Sequence, residues 1–350
     1  MEAGFIPPCR RTEAGPVVLL FTAGTEVELP SLKGPVLPRS IASYGVGLLL
    51  GLMVAMVLGA LDVVQTPSLI AIVLSATGLG AIIPVLRGAG LSATPVGQTI
   101  LIVGSVAEFS AVMLLSILFA EGDSSILDHV LFFGIFAGVT AVVWFVLRRA
   151  EQQPGLADRL EALEGGTAQI RIRLAVLVLA IFLALSSQFG LETILGAFVA
   201  GIILGDLRHH ERGRESGFWP KIDAIGFGFL IPIYFVISGL RFDLSALVDS
   251  PSALARVPLF LVLFLVCRGV PALLFRKQLD KRATAALALL SATSLSFVLT
   301  ATDVGMRVGK LREINATAMV GAAVIAMVLF PLGAQALLAR ERTESSAEKS

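Results

Sequence analysis

The residue in this sequence best suited to chemistry is Glu108. It lies roughly midway along TPVGQTILIVGSVAEFSAVMLLSILFA, a run otherwise made of apolar and small residues. A run of that length spans a bilayer as a helix, which puts the acid near the bilayer centre. A bare carboxylate there costs a few kcal/mol or more, so the group holds a proton or pairs with a cation that cancels its charge. Proton and cation thus become alternative ligands of one group. The plainer reading is a neutral glutamic acid hydrogen-bonded between helices. Arg268, in LVLFLVCRGVPALLF, is the second buried charge and stands too deep to snorkel. It needs an acidic or carbonyl partner, and Glu108 is one candidate. A purely structural ion pair explains Arg268 as well as a transport role does. Asp303 falls near the end of its apolar run and is a possible accessory acid or simply a solvated one. Glu26 and Glu28, at the end of a short run, read as solvated.

Two further runs carry polar interruptions at mid-depth. LIAIVLSATGLGAIIPVLR contains Ser75, Thr77, Gly78 and Gly80, and AALALLSATSLSFVLTATDVG contains Ser291, Thr293, Ser294 and Ser296. The tripeptide Ser-Ala-Thr occurs in both. Such residues can unwind a helix, freeing carbonyls to coordinate a cation and turning half-helix ends toward the gap. Small residues also serve close helix packing, which is the alternative for either run alone. Their occurrence as a pair, one in each half of the chain, favours a midplane site lined by Ser75, Thr77, Gly78, Ser291, Thr293 and Ser294.

The elements that must position these residues follow from composition. Of 350 residues 56% are hydrophobic and 15% charged, and mean hydropathy is +0.87, too apolar for a soluble surface. Eleven apolar segments fall near 16–29, 41–61, 66–86, 95–120, 127–147, 173–188, 191–205, 218–239, 254–275, 283–303 and 314–338. Backbone polar groups in lipid must be satisfied within a segment, and the period-2 alternation of a membrane barrel is missing. The fold class is therefore an all-α, polytopic membrane protein. If the Lys33/Arg39 loop is cytoplasmic and the loops alternate, 19 of the 27 lysines and arginines share that side. The exceptions are Arg10, Arg11, Arg241, Arg256 and the cluster Arg307, Lys310 and Arg312, apart from the buried Arg268. This places the C-terminus in the cytoplasm and the protein in the inner or plasma membrane. The chain divides into an N-terminal tail (1–12), a first helical half (13–148), a cytoplasmic linker (149–172), a second half (173–339) and a polar tail (340–350). Within the linker Leu156, Leu160 and Leu163 recur at helical spacing among charges, as in a short interfacial helix or a plain charged connector.

Several classes are disfavoured. A net charge of +1 and a pI near 7.8 give no basis for a nucleic-acid partner. Cys9 and Cys267 form no disulfide framework or metal-ligand pattern. The polar stretch 1–15 lacks the layout of a secretory signal. No HExxH is present, His129, His209 and His210 are expected in loops, and Ser105 has no histidine base within the apolar runs. Enzymatic activity, a resident metal and a cofactor are accordingly not expected.

The sequence resembles the membrane domain of the monovalent cation:proton antiporter-2 family, the Kef-type and sodium/proton exchanger group, over residues 13–338. VVLLFTAGTEVEL is similar to the family's third helix. LSATGLGAIIPVLRGAG followed by TPVGQ resembles its unwound crossing helix and the loop after it. LGAFVAGIILG and IGFGFLIPIYFVISGLRFDLSAL resemble its later signatures. The resemblance implies a 13-helix fold with inverted repeats, a panel domain for dimerisation and a mobile core, with an ion site where two discontinuous helices cross. It puts the acidic position on Glu108, the basic position on Arg268 and the unwound segments on residues 75–78 and 291–296. Its implied ligands are protons and Na⁺ or K⁺, and its implied assembly is a homodimer in the bilayer. Many relatives carry Asp-Asp or Asn-Asp at the ion site, whereas this chain has Ala107-Glu108, and one carboxylate predicts electroneutral 1:1 exchange. The family's first two helices have no counterpart, and 1–12 matches nothing expected there, which suggests a misassigned start or a truncation. A passive cation channel or efflux pathway and a non-transporting fragment are the competing readings.

Overall fold

The computed structural model describes residues 14–25, 36–91, 94–119, 126–151, 170–188, 193–210, 218–230, 232–233, 236, 247 and 250–347. Each of the eleven apolar segments carries a helix. In chain order these are α1 (Ala14–Thr25), α2 (Val36–Ala60), α3 (Pro67–Ser75), α4 (Leu79–Gly88), α5 (Pro95–Leu118), α6 (Ile126–Glu151), α7 (Ile170–Gln188) and α8 (Thr193–His210). They continue with α9 (Phe218–Ile225), which runs into a π-helical turn at Gly226–Leu230. The last four are α10 (Pro251–Ala272), α11 (Lys281–Ser291), α12 (Leu295–Arg307) and α13 (Glu313–Ala347). Among the described residues, six helical spans are long and apolar enough to cross a membrane by length and composition. The leucines of the linker and the acids Glu26 and Glu28 lie outside the described residues.

Local chemistry sets several helix starts. Thr94 caps α5 by accepting from the Gly97 N–H at 3.1 Å, with Pro95 in the first turn. Ser250 caps α10 through the Ala253 N–H at 3.3 Å. Asp280 caps α11 by accepting from Arg282 at 3.1 Å and Ala283 at 2.9 Å.

The helices pack as two groups. One contains α1 and α6–α9, and its tightest pair is α1 with α8. Gly201 and Gly205 on α8 are four residues apart and face α1, where Gly24 returns the contact. A Cβ on Gly201 would run into the Phe21 carbonyl oxygen, and one on Gly205 would lie 2.6 Å from that of Thr25. The second group contains α2–α5 and α10–α13. Here the same order recurs: a long helix (α2 or α10), a span broken in two (α3/α4 or α11/α12), then another long helix (α5 or α13).

The two halves of this second group run in opposite directions. Arg312, just before α13, reaches Asp62, between α2 and α3, with Nη2 2.9 Å from Oδ1 and Nη1 3.0 Å from the carbonyl oxygen. Asn315 donates to the Val63 carbonyl at 2.8 Å and accepts from Arg256 of α10 at 2.6 Å. The first broken span therefore starts at the end of the bundle where the second finishes, which makes the repeats inverted. Two of the arginines that stood out as charge-rule exceptions, Arg256 and Arg312, are thus engaged in fastening these loops. A third, Arg307, is ion-paired with Asp303, and Arg10, Arg11 and Arg241 lie outside the described residues. The Asp62–Arg312 pair is exposed, so Asp62→Ala should cost less than about 1 kcal/mol. A melting shift above a few degrees in detergent would show the contact to be stronger than its exposure implies.

Candidate functional site

Both interruptions are real breaks, and they meet. α3 ends at Ser75, whose hydroxyl donates back to the Ile72 carbonyl at 3.0 Å. Ala76 is extended, with φ −80° and ψ 146°, and α4 begins at Leu79. α11 ends at Ser291, the Thr293 hydroxyl donates to the Leu290 carbonyl at 2.6 Å, and α12 begins at Leu295. The Gly78 N–H donates to the Thr293 carbonyl at 2.7 Å, and the Thr77 hydroxyl donates to the Ser291 carbonyl at 2.9 Å. Each unwound strand therefore satisfies backbone groups freed by the other, as burial in a low-dielectric medium requires.

Glycine permits the approach. A Cβ on Gly78 would lie 3.2 Å from the Ser294 Cα and 3.3 Å from the Thr293 carbonyl oxygen. Ser75, Thr77, Ser291, Thr293 and Ser294 are all buried, so the structure brings together the residues that the two Ser-Ala-Thr runs nominate. Thr77→Val keeps the shape but removes the hydroxyl that donates to the Ser291 carbonyl, and should lower stability by about 1–3 kcal/mol. A melting temperature equal to the parent's would remove this bond from the account.

Glu108 is fully buried on α5, against the start of α4. Its Oε2 accepts from the Leu79 N–H at 2.9 Å, the first peptide group of the half-helix. The other carboxyl oxygen, Oε1, is buried and has no hydrogen-bond partner among the described residues. The site thus fixes one oxygen at the positive end of a helix dipole and leaves the second available. One turn earlier, Gly104 keeps this approach open: a Cβ there would lie 2.9 Å from Leu79 Cδ2. Gly104 was not among the residues nominated from the sequence, although its position four residues before Glu108 is a legible signal.

Arg268 does not pair with Glu108. Its Nε donates to the Ala76 carbonyl oxygen at 3.1 Å, its guanidinium carbon lies 5.8 Å from the centre of the Tyr44 ring, and its Nη2 has no hydrogen-bond partner among the described residues. Of the two partner types expected from sequence, the carbonyl is the one found. The reason is geometric, since Arg268 enters at the carboxyl end of α3, where carbonyls lack helical donors and a cation is favoured. The two charges therefore sit on opposite sides of the first break, cation at the end of α3 and acid at the start of α4.

Asp303 lies more than two helical turns beyond Ser294 on α12, ion-paired with Arg307 at 3.3 Å. His129, His209 and His210 belong to helices α6 and α8 and not to loops, a correction: α8 continues past its apolar stretch through His209 and His210, and His129 falls in the first turn of α6. No group of three or more His, Cys, Asp and Glu side chains able to hold a metal occurs among the described residues. Across the boundary between the two helix groups, Phe109 stacks on Phe198 of α8 with ring centres 6.0 Å apart, so the residue after Glu108 touches the other group.

Residues 12–340 match the family described as the transmembrane sodium/hydrogen exchanger. Among curated proteins, the chain is 27% identical over 344 residues to the putative Na(+)/H(+) antiporter YjbQ of Bacillus subtilis, covering 93% of this chain and 54% of that protein. It is 28% identical to a Na(+)/H(+) antiporter of Enterococcus hirae, covering 67% of this chain and 60% of the relative. It is 27% identical to the glutathione-regulated potassium-efflux protein KefC of Salmonella typhimurium, covering 74% and 40%. The chain thus spans about half the length of the curated relatives it matches. Its fold is similar to that of the sodium proton antiporter MjNhaP1 of Methanocaldococcus jannaschii at a TM-score of 0.62 and 14% identity, covering 93% of this chain and 83% of that one.

Proposed function

The chain belongs to the transmembrane sodium/hydrogen exchanger family, and from that membership we propose that it exchanges a monovalent cation, Na⁺ or K⁺, for protons through the single carboxylate Glu108. The observation that carries this reading is the half-engaged carboxyl group at the crossing, with Oε2 on the Leu79 N–H and Oε1 buried without a partner. A buried free oxygen of that kind is stable when it holds a proton or a cation, and unstable when it holds neither. In the proton-loaded form Glu108 is neutral. When the site opens to one side, the proton leaves and a dehydrated cation takes its place beside the carboxylate, assisted by carbonyls of the two breaks. The group α2–α5 and α10–α13 then moves against α1 and α6–α9 and opens the site to the other side.

Because the crossing offers one acid, one cation replaces one proton and the cycle is electroneutral. The Gly78–Thr293 bond holds the two breaks against each other, and the relatives' names, which are those of antiporters, favour exchange over a passive pore. Both ions remain in the proposal because the relatives' names include Na(+)/H(+) antiporters and a potassium-efflux protein. The family resemblance supports a homodimer in the plasma membrane with a cytoplasmic C-terminus.

The test uses everted vesicles carrying a preset pH gradient, to which Li⁺, Na⁺, K⁺ or Rb⁺ is added. Dissipation by at least one of them, insensitive to a clamped membrane potential, is the expected result. A gradient unaffected by all four ions, with the protein present in the membrane, would rule out the exchange. Proton and cation also compete for one group, so the apparent KM for the cation should rise as pH falls, by at most about tenfold per pH unit. A KM independent of pH would mean that the two ligands occupy separate sites.

A further inference from the structure

Arg268 is 5% exposed, and among the described residues its contacts are a carbonyl and an aromatic ring, with no acid. A guanidinium so placed needs compensation for lost water, and a single neutral carbonyl does not replace a hydration shell. The remaining contribution comes from α2. Tyr44, 8% exposed and one of two tyrosines in the chain, presents its ring with the Arg268 Cζ 5.8 Å from the centroid. That is within the range at which the negative face of an aromatic ring attracts a cation, and the attraction grows when both groups are out of water.

The surroundings bring the ring there. One turn along α2, Gly47 faces α10 so closely that a Cβ on it would lie 2.8 Å from the Cys267 carbonyl oxygen and 3.8 Å from Arg268 Nη1. Gly51 makes the matching approach to α3, where its Cβ would lie 3.1 Å from the Ala71 carbonyl oxygen. The bare glycines of α2 thus let α10 and α3 approach the helix on either side of Tyr44. On its far side the Tyr44 hydroxyl lies 3.5 Å from Ser75 Oγ, the last residue of α3 before the break.

From this arrangement we infer that Tyr44 is a positioning residue for ion exchange: its ring face holds the Arg268 guanidinium on the Ala76 carbonyl and so fixes the shape of the first break. The inference rests on the exchange reading given above. Held in this way, the arginine occupies the carboxyl end of α3 and keeps that carbonyl from the transported ion. When the ring's attraction weakens, the guanidinium is held less firmly and the ion site loses definition. The apparent affinity for the cation then suffers more than the maximal rate.

The experiment replaces Tyr44 with phenylalanine and with mono-, di- and trifluorinated phenylalanines, which keep the ring's shape while removing its negative face stepwise. Purified variants are reconstituted in liposomes, and the apparent KM for the best cation is measured against the maximal rate. The expected result is a KM that climbs with each fluorine, by roughly tenfold across the series, with a smaller change in maximal rate. A KM unchanged along the series overturns the inference, as does a series in which only the maximal rate falls. Tyr44→Leu, which removes the ring altogether, should lie at or beyond the trifluorinated member. If it does not accumulate, the isosteric series decides alone. Should the parent protein itself show no cation-dependent proton movement, it is the exchange reading that fails, whereas a flat series on an active parent removes Tyr44 only.

Discussion

Glu108→Gln is expected to reduce cation-driven proton movement to background while leaving the protein folded in the membrane. The amide keeps an oxygen that can accept from the Leu79 N–H, so the capping contact that the carboxylate makes at 2.9 Å survives. What it loses is the ability to carry either a proton or a compensating negative charge, and the proposed cycle needs both. The buried, partnerless Oε1 is replaced in Gln by a group that binds no proton at any working pH. The variant's melting temperature should stay near the parent's, or rise slightly, because a buried ionisable group has been neutralised. Glu108→Asp retains the charge but shortens the side chain by one methylene, so the hold on Leu79 weakens. It should keep part of the activity at a raised apparent KM. Full activity in Glu108→Gln would require another proton carrier. The remaining acid considered for such a role, Asp303, is already ion-paired with Arg307.

The second large effect concerns the packing of α1 against α8. Gly201→Val should prevent normal assembly of α1 with α8. The first carbon of any side chain at that position meets the Phe21 carbonyl oxygen and presses on the Gly24 backbone, 2.9 Å from its Cα. These are backbone atoms, so no rotamer change relieves the clash and the two helices must separate. Separation also breaks the neighbouring approach of Gly205 to Thr25. A loss of about 3 kcal/mol or more is expected, at the upper end of overpacking effects. The check is the yield of monodisperse protein in detergent together with its melting temperature, which should fall by about 5–10 °C. Gly45→Ala provides the comparison, because a Cβ there meets nothing within 4 Å. A Gly201 variant as stable as Gly45→Ala would mean that the α1–α8 contact does not hold the helix group together.

How much of this was legible in the sequence depends on which physical quantity each pattern reports. Long apolar runs report depth in a bilayer, and each of the eleven carries a helix. Interruptions report where a helix loses its own hydrogen bonds, and both Ser-Ala-Thr runs do end a helix, at Ser75 and at Ser291. The lone acid at mid-depth, Glu108, is fully buried, against the start of α4. An apolar run says nothing, however, about which way a side chain points around its helix axis. For that reason the partner of Arg268 could be narrowed to an acid or a carbonyl and no further.

The same blindness affects helix surroundings. The windows in α5 and α6 are similarly apolar, yet 61% of the first is buried within the protein and 6% of the second. Lipid and protein interior select the same residues, so composition alone cannot separate them. Tyr44 escaped notice because a tyrosine at the end of an apolar run usually marks a membrane interface. Its role becomes visible only when the glycines at 47 and 51 bring α10 and α3 against α2. The glycines of α8 were plain in LGAFVAGIILG, but that they face α1 is a long-range fact settled by packing.

The claim on which the account depends is that one carboxyl group exchanges a proton for a metal ion. Isothermal titration of the purified protein with its transported cation, in two buffers of different ionisation enthalpy, counts the protons released on binding. The account predicts up to one proton released per cation bound, approaching one at pH values where Glu108 is protonated in the empty site, and no binding heat in Glu108→Gln. Cation binding without proton release across the pH range, or undiminished in that variant, would contradict it.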